Sequence, residues 1–554
     1  MARPRIRVIP LGGVGEIGKN CTLVEYRGDM VLIDLGTKFP EEEMRGIDLI
    51  VPDITYVRER IDRFRGILLT HGHEDHIGGI PYLLPQLKAR APIPIYGSAL
   101  SIAFVEAKLD EMGISNLAEF HVVEPRQRYK LGGHLEAEFI TVTHSIPGSF
   151  VVGLRTALGW VVHTGDFKFD PTPPLGPPTD EVRLREIGDE GVLALLSDTV
   201  RVERPGYTPS EVVVGETLFR IISEAQGRVI MTTFASNITR IDQAIRAAYR
   251  NGRKVAIAGR SMEQSTNVAT DLHYLTPPDD LIQALDVAMK LPPDKVLLVT
   301  TGSQGEATAA LARIASGEHP VIKLSRGDTV ILSATPVPGN EESVAQTIDQ
   351  LFRRGAKVYY AAIEPTIHVS GHASREELIF MVRLVRPRFC IPIHGEYRHL
   401  ALYRQLAFEL GYKDAEVIIP ELGGVISIGR DSIRREGMVK SSAVLVDIIG
   451  NRNVILREED KVAASGVIIA TLIVNRDTGK LLAAPDVSAQ QLDGQVSEKT
   501  LKKAADELKT FFEKRQKGGF SYGYLVSRTK RVLARSIYHE ARIRPMILPI
   551  IAEF

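Results

Sequence analysis

Six consecutive residues, His71-Gly72-His73-Glu74-Asp75-His76, put three imidazoles and the Asp75 carboxylate directly behind the apolar run Ile67–Thr70, on a turn that Gly72, Gly78 and Gly79 keep sterically open. Imidazole nitrogen and carboxylate oxygen are donors for zinc, manganese and iron, and so dense a group cannot close on one tetrahedral ion that also has distant ligands. Two divalent ions are the natural reading, zinc first and manganese second. Three more residues stand where strand-like runs end: His144 after EFITVT, Asp166 after WVVHTG and His394 after RFCIPI. A single His or Asp at a strand end usually serves the local fold, but these pieces in this order point to one centre. Two ions about 3.5 to 4 Å apart can clamp a phosphate oxygen and activate water, which suffices for phosphodiester hydrolysis.

The elements that must position these groups can be read from the same chain. Its 554 residues are 44% hydrophobic and 25% charged, which excludes disorder and collagen and allows three to four domains at roughly 150 residues each. Sixty-eight Lys and Arg balance 68 Asp and Glu, so any polyanionic partner must be met locally. No apolar run is long enough to span a bilayer and the start MARPRIRVIPLGG has no signal-type core, so a cytoplasmic chain with no membrane partner is expected. Cys21 and Cys390 lie inside apolar runs and read as packing residues. IRVIPL, CTLVEY and MVLIDLG, separated by turns, read as a β-hairpin region, and DPTPPLGPP as an exposed excursion.

After about residue 207 the character changes. Thr208-Pro209-Ser210-Glu211 reads as a capping box with Pro at the first helical position. Strands RVIMTTF, KVAIAG, KVLLVTTG, DTVILSAT and AKVYYAA then alternate with helices starting near Ile238, Met262, Ala307 and Glu341, the pattern of a doubly wound α/β domain over 208–362. Residues 363–447 resemble the first region, 1–207, and 448–554 form a linker and a small C-terminal α/β domain. There Leu501, Ala504, Ala505, Leu508, Phe511 and Phe512 share one helix face, and 498–544 carries thirteen Lys and Arg against five Asp and Glu, a surplus of eight. That surplus is either a solvated face or a surface for RNA or subunit assembly. Gly13-x-Gly15-x-x-Gly18 matches a dinucleotide fingerprint, yet a strand and no helix follows, so no nucleotide cofactor is expected.

The string His71-x-His73-x-Asp75-His76 resembles the metallo-β-lactamase fold hydrolases, which implies an αββα sandwich. The resemblance assigns His71, His73 and His144 to one metal, Asp75, His76 and His394 to the other, Asp166 as the bridge, and Asp34 as the acid orienting the histidine loop. The 227 residues between Asp166 and His394 resemble the β-CASP branch, whose inserted α/β domain closes over the site as a nucleic-acid channel. Asp198 then fits its motif A, His372 in His368-Val369-Ser370-Gly371-His372 motif B, and His394 motif C. PLGGVGEIGKN, LTHGHEDHIGGIPYLL, TGSQGE, HVSGHAS and PIHGEYRHL resemble the bacterial ribonuclease J family across essentially the whole chain. One departure is Thr199-Val200-Arg201, where that family commonly has Ser-Thr-Asn.

The resemblance implies a two-metal ribonuclease that trims single-stranded, 5′-monophosphorylated RNA from its 5′ end and also cuts internally, in RNA decay and ribosomal RNA maturation. Asp75 is expected to orient or deprotonate the nucleophile and His372 to protonate the departing 3′ oxygen. His368, Val369, Ser370, Gly371 and His372 are expected to form the phosphate pocket, with amides of Gly302 and Ser303 added from TGSQGE, or TGSQGE is an ordinary turn. Phe234–Asn237 either meets bases or packs in the core. Asp48 and Asp447, two acids among apolar residues, are candidates for a structural cation such as calcium. A homodimer or homotetramer through the C-terminal domain and membership of an RNA-degradation complex are further expectations. The rivals are a thioester or lactam hydrolase and an RNA-binding protein without catalysis.

Overall fold

In the computed structural model, residues 4–40, 44, 47–304, 309–336, 340–448, 454–458, 466–475, 480–490, 492, 496–513, 522–541, 543 and 545–554 are described. Gly305 and Glu306 of the TGSQGE run, and the expected helix start at Ala307, lie outside them; that helix is described from Ala310–Ser316.

Apolar runs broken by tight turns fold the first residues into antiparallel strands Ile6–Gly12, Cys21–Tyr26 and Asp29–Ile33. Arg27 and Gly28 make the second turn with φ of 50° and 93°, the left-handed region that a two-residue hairpin turn requires. Phe64–Leu68, Ile93–Gly97 and Ala118–Val122 extend the sheet in parallel on one side, Gly424–Ile428 and Ile433–Met438 antiparallel on the other. A six-stranded sheet faces it, in the order Phe389–Ile393, Val192–Asp198, Gly159–His163, Ser149–Thr156, Leu135–Val142 and Arg128–Leu131. Val8, Val24, Val31, Leu68, Phe139, Val152, Leu196 and Ile391 fill the space between the sheets. Helices Ala99–Met112 on one outer face and Glu181–Gly191, Arg375–Val385 and Tyr397–Glu409 on the other complete an αββα sandwich.

The inserted domain leaves after Asp198 and the chain returns through Phe389–Ile393, which pairs in parallel with Val192–Asp198 so that Asp198 stands opposite Ile393. Departure and return are therefore adjacent, and both strands end at the same edge of the sheet. Between them lies a five-stranded parallel sheet in the order Lys254–Ala258, Val296–Thr300, Val229–Thr232, Thr329–Leu332, Lys357–Tyr359, wound by helices Val212–Glu224, Ile238–Arg250, Arg260–Asp271 and Glu341–Arg353. The expected capping box does not form. Helix Val212–Glu224 has Glu211 at its N-cap with no side-chain cap bond. The Thr208 hydroxyl donates instead to His372 O at 2.7 Å, and Glu211 accepts from Arg240 Nη2 at 2.7 Å. The buried guanidinium takes that carboxylate, and the Thr208 N–H that a capping box would offer it donates to Glu377 Oε2 at 2.8 Å.

At the C-terminus, Val467–Val474 pairs with Asp486–Gln490 and, in parallel, with Met546–Glu553. Helices Glu498–Glu513 and Tyr522–Ala541 cover one face, burying Ala504, Leu508 and Phe512 against Ile468, Ala470 and Leu472. Asp48 and Asp447 do come together, and the cation between them is the chain's own: Lys530 Nζ lies 3.4 Å from Asp48 Oδ2 and 3.4 Å from Asp447 Oδ1. The pair was legible but its partner was not, because Lys530 sits 83 residues beyond Asp447 on a helix that reads as basic throughout. Among the described residues, no helix is long and apolar enough to cross a membrane.

Candidate metal centre and substrate pocket

Asp29–Ile33 and Phe64–Leu68 run parallel, so Asp34 and Thr70 emerge side by side at their ends. Asp34, at φ 61°, accepts the Thr70 N–H at 2.8 Å and the Thr70 hydroxyl at 2.7 Å, and its Oδ2 lies 2.7 Å from His76 Nδ1. The histidine loop folds into the short helix Glu74–Ile77, with His73 at its N-cap. It packs against Gly36, where a Cβ would come within 1.6 Å of Asp75 O. Asn20 fastens the same turn: its backbone N–H donates to Asp75 O at 2.9 Å, and its Nδ2 lies 3.0 Å from His76 Nε2. The Gly13–Gly18 loop holds the opposite side, because Gly13 O accepts the His394 N–H at 2.7 Å and Gly15 and Glu16 bridge to Glu396 and Gly395. That fingerprint-like glycine run thus positions a donor residue.

All seven donors expected from the sequence converge. His71, His73, His144 and Asp166 form one tetrad and Asp75, His76, His394 and Asp166 another, the donor atoms of each lying within 4.8 Å of one another. Asp166 belongs to both. His144 Nδ1 is held 2.7 Å from Gly371 O, which leaves its Nε2 facing His73 Nδ1 at 3.1 Å. His394 Nδ1 lies 2.6 Å from Asp166 Oδ1, while its buried Nε2 meets no hydrogen-bond partner. Burial, with His76 adding to it, holds the His71 imidazole far below its ordinary value. Burial, with His73 adding to it, does the same at His144, and at His73 burial outweighs Asp75 and lowers it to about 4. These rings are neutral near pH 7, the form that offers a lone pair to a metal. An orphaned buried nitrogen, neutral imidazoles and a carboxylate shared between two tetrads fit divalent metal ions.

Beside the tetrads, His372 Nδ1 lies 2.8 Å from Asp198 Oδ2 and 3.8 Å from Asp166 Oδ2. Burial works against its charge, but Asp198 first and then Asp166 bring it up to about 9. The segment His368–His372 is tied down by groups that sequence reasoning missed. Lys168 Nζ, fully buried, donates to Ser370 O at 3.2 Å and Pro209 O at 3.2 Å, and lies 3.5 Å from Glu211 Oε1. Arg240, also fully buried, donates to Ser333 Oγ at 2.6 Å and reaches within 3.5 Å of His368 Nδ1, and Ser333 Oγ donates to Ile367 O at 2.6 Å. Burial, then the charges of Arg240, Lys168 and Arg201, lower His368 to about 3. Val369 is buried, and Ser370 Oγ accepts the His372 N–H at 3.2 Å.

Among the described residues no hydrogen bond joins Gly302 and Ser303 to His368–His372. They follow Val296–Thr300, two strands away from Thr329–Leu332, whose continuation supplies Ser333. Asn237 of the Phe234–Asn237 run caps helix Ile238–Arg250, accepting the Arg240 N–H at 3.0 Å, and Phe234 is half-buried.

The sandwich, its strand-end donors and the α/β domain inserted between Asp198 and His394 define a metallo-β-lactamase-fold hydrolase of the β-CASP type. Residues 14–221 match the metallo-beta-lactamase superfamily, 226–351 the description "Ribonuclease J, beta-CASP domain", 356–420 "Zn-dependent metallo-hydrolase RNA specificity domain", and 454–554 "Ribonuclease J C-terminal domain". Ribonuclease J of Synechocystis sp. is 43% identical over 87% of this chain and 75% of its own length. Ribonuclease J of Thermus thermophilus is 42% identical over 85% of this chain and 83% of its own, and ribonuclease J2 of Bacillus subtilis 37% identical over 99% and 98%. A crystal structure of a protein of unknown function from Enterococcus faecalis V583, 16% identical, superposes with a TM-score of 0.53 over 76% of this chain and all of that one, a likeness of fold alone. The chain belongs to the ribonuclease J family of metal-dependent ribonucleases.

Proposed function

We propose that this chain degrades single-stranded RNA from a 5′-monophosphorylated end, releasing nucleotides in the 5′-to-3′ direction, and also cuts internally. The observation that carries the reading is the pair of tetrads sharing Asp166, with the Asp198–His372 pair and the His368–Ser370 segment set beside it at the mouth of the inserted domain. His71, His73 and His144 would hold one ion, Asp75, His76 and His394 the other, and Asp166 both, with zinc the first expectation and manganese the second. Such ions, when bound, supply Lewis-acid activation of water and neutralise charge on the scissile phosphate. Asp75 orients the attacking water and accepts its proton. Asp198 aims His372, whose proton goes to the departing 3′ oxygen. His368, the Ser370 hydroxyl and the Ser370 and Gly371 amides receive the terminal phosphate, on a segment that Lys168 and Ser333 hold from beneath.

The Cys21 and Cys390 thiols are free and buried, which fits a reducing cytoplasm. Assembly as a dimer or tetramer is proposed through the C-terminal sheet, whose uncovered face carries the half-buried Ile469 and Ile473 and the exposed Ile550.

The test is a single-stranded RNA labelled at its 5′ end, offered with monophosphate or triphosphate to wild type, to His76→Ala and to chelated enzyme resupplied with zinc or manganese. Labelled mononucleotide is expected from the monophosphate substrate alone, and neither from His76→Ala nor without metal. Metal-dependent cutting at internal sites only would overturn the 5′ pocket.

A further inference from the structure

Arg201 stands three residues beyond Asp198, at the departure Thr199-Val200-Arg201. Its backbone bridges in parallel to Ser374. The run that follows is laced to the same segment: the Arg375 N–H donates to Arg204 O at 2.9 Å, and the Thr208 hydroxyl to His372 O at 2.7 Å. These bonds fix the Arg201 backbone beside the segment that leads out of His368–His372. Arg201 is half-buried, its Nε is buried without an acceptor, and among the described residues no carboxylate pairs with it. Burial first, and then the charge of Arg204, lower its pKa against the pull of Glu377. Glu377 is already engaged, its oxygens accepting the backbone N–H groups of Phe169, Thr208 and Ser374 at 2.8 Å each.

Two other cations surround His368, and both are matched. Arg240 pairs with Glu211 at 2.7 Å, and Lys168 lies 3.5 Å from Glu211 and 3.9 Å from Asp170. Arg201 is the third and is surplus. A guanidinium nitrogen buried without an acceptor is costly, and the planar fork it belongs to matches the oxygens of a phosphate. We propose that Arg201 binds a phosphate oxygen of the RNA at the rim of the His368–Ser370 pocket and sharpens selection for a 5′-phosphorylated end. The proposal rests on the pocket reading given above.

Two measurements on the full chain separate it from that reading. In equilibrium titrations with uridine 5′-monophosphate and with uridine, Arg201→Gln should weaken the nucleotide about tenfold, as expected for loss of one charge-assisted contact, and leave uridine unaffected. Arg201→Lys should recover part of the loss, and Arg204→Gln, at an exposed neighbour, should bind the nucleotide as wild type does. In cleavage of one RNA bearing a 5′-phosphate or a 5′-hydroxyl, Arg201→Gln should raise KM about tenfold for the phosphorylated form, with a smaller change in kcat, and narrow the preference between the two. Unchanged nucleotide affinity, or equal weakening of nucleotide and uridine, would overturn the assignment. If wild type cleaves no RNA while nucleotide binding still depends on Arg201, the ribonuclease reading fails and the anion contact stands.

Discussion

At the scale of single residues, the donors are set by groups that do not themselves point into the centre. Asp34 fixes His76 through Nδ1 and the loop through Thr70, so His76 Nε2 is left to face Asp166 Oδ2 at 3.3 Å. Asp34→Asn keeps the shape and tolerates the left-handed backbone, but it removes the charge that supports the ring. Metal affinity should fall by about 10- to 100-fold, measured by competition with a chromophoric chelator, while the thermal transition of the metal-free chain moves little. An Asp34→Asn chain holding metal as tightly as wild type would show that Asp34 serves the fold alone. The seven donors could be picked out in the sequence because four fall within six residues of a glycine turn and the rest follow strand-like runs. Lys168, Glu211 and Arg240 could not. Pattern reasoning sends charged residues to the surface, and these three are buried only because they pair with one another across segments far apart in the chain.

At the scale of elements, the decisive features are close backbone approaches. The doubly wound sheet and the hairpins followed from periodicity. The partners of Thr208 and Glu211 did not: Thr208 meets His372, 164 residues away, and Glu211 meets Arg240 of the next helix, a residue that pattern sends to the surface. Gly36 and Gly15 separate the two reasons a loop needs glycine. At Gly36 a Cβ would meet Asp75 O at 1.6 Å, whereas at Gly15 nothing lies within 4 Å and only the φ of +73° objects. Gly15→Ala should therefore cost about 1 to 2 kcal/mol. Gly36→Ala should exceed the 3 kcal/mol or so of ordinary overpacking, or prevent folding, because backbone on both sides must move. The chain's single Trp, Trp160, is buried against the six-stranded sheet and reports the sandwich directly in urea unfolding. Equal midpoints for the two variants would mean that the histidine loop is not braced by the strand end at Gly36.

At the scale of the whole molecule, the C-terminal domain is joined to the sandwich by a small seam. Among the described residues its apolar part centres on Ile47, Ile50, Leu445 and Met546, with Met44, Ala443 and Val467 packed against them and Leu49–Val51 and Val444–Ile448 paired beneath. Apolar contact is non-directional, so the Lys530 ammonium between Asp48 and Asp447 carries much of the seam's specificity. Asp447 and Lys530 are both almost fully buried, and Asp48 also accepts the Ile448 N–H at 2.7 Å. Removing the cation takes a positive charge from a buried acid in a low-dielectric seam, which costs more than the pair contributes when intact. Lys530→Met should loosen the seam by about 3 kcal/mol, seen as faster release of a C-terminal fragment in limited proteolysis under native conditions. Adding Asp447→Asn to Lys530→Met should restore much of the resistance, because the amide needs no counter-charge. Asp447→Asn alone should loosen the seam, because it takes one of two carboxylates from the ammonium. Proteolysis unchanged by Lys530→Met, or worsened further in the double variant, would assign the docking to the apolar side chains and leave the ion triad as a bystander.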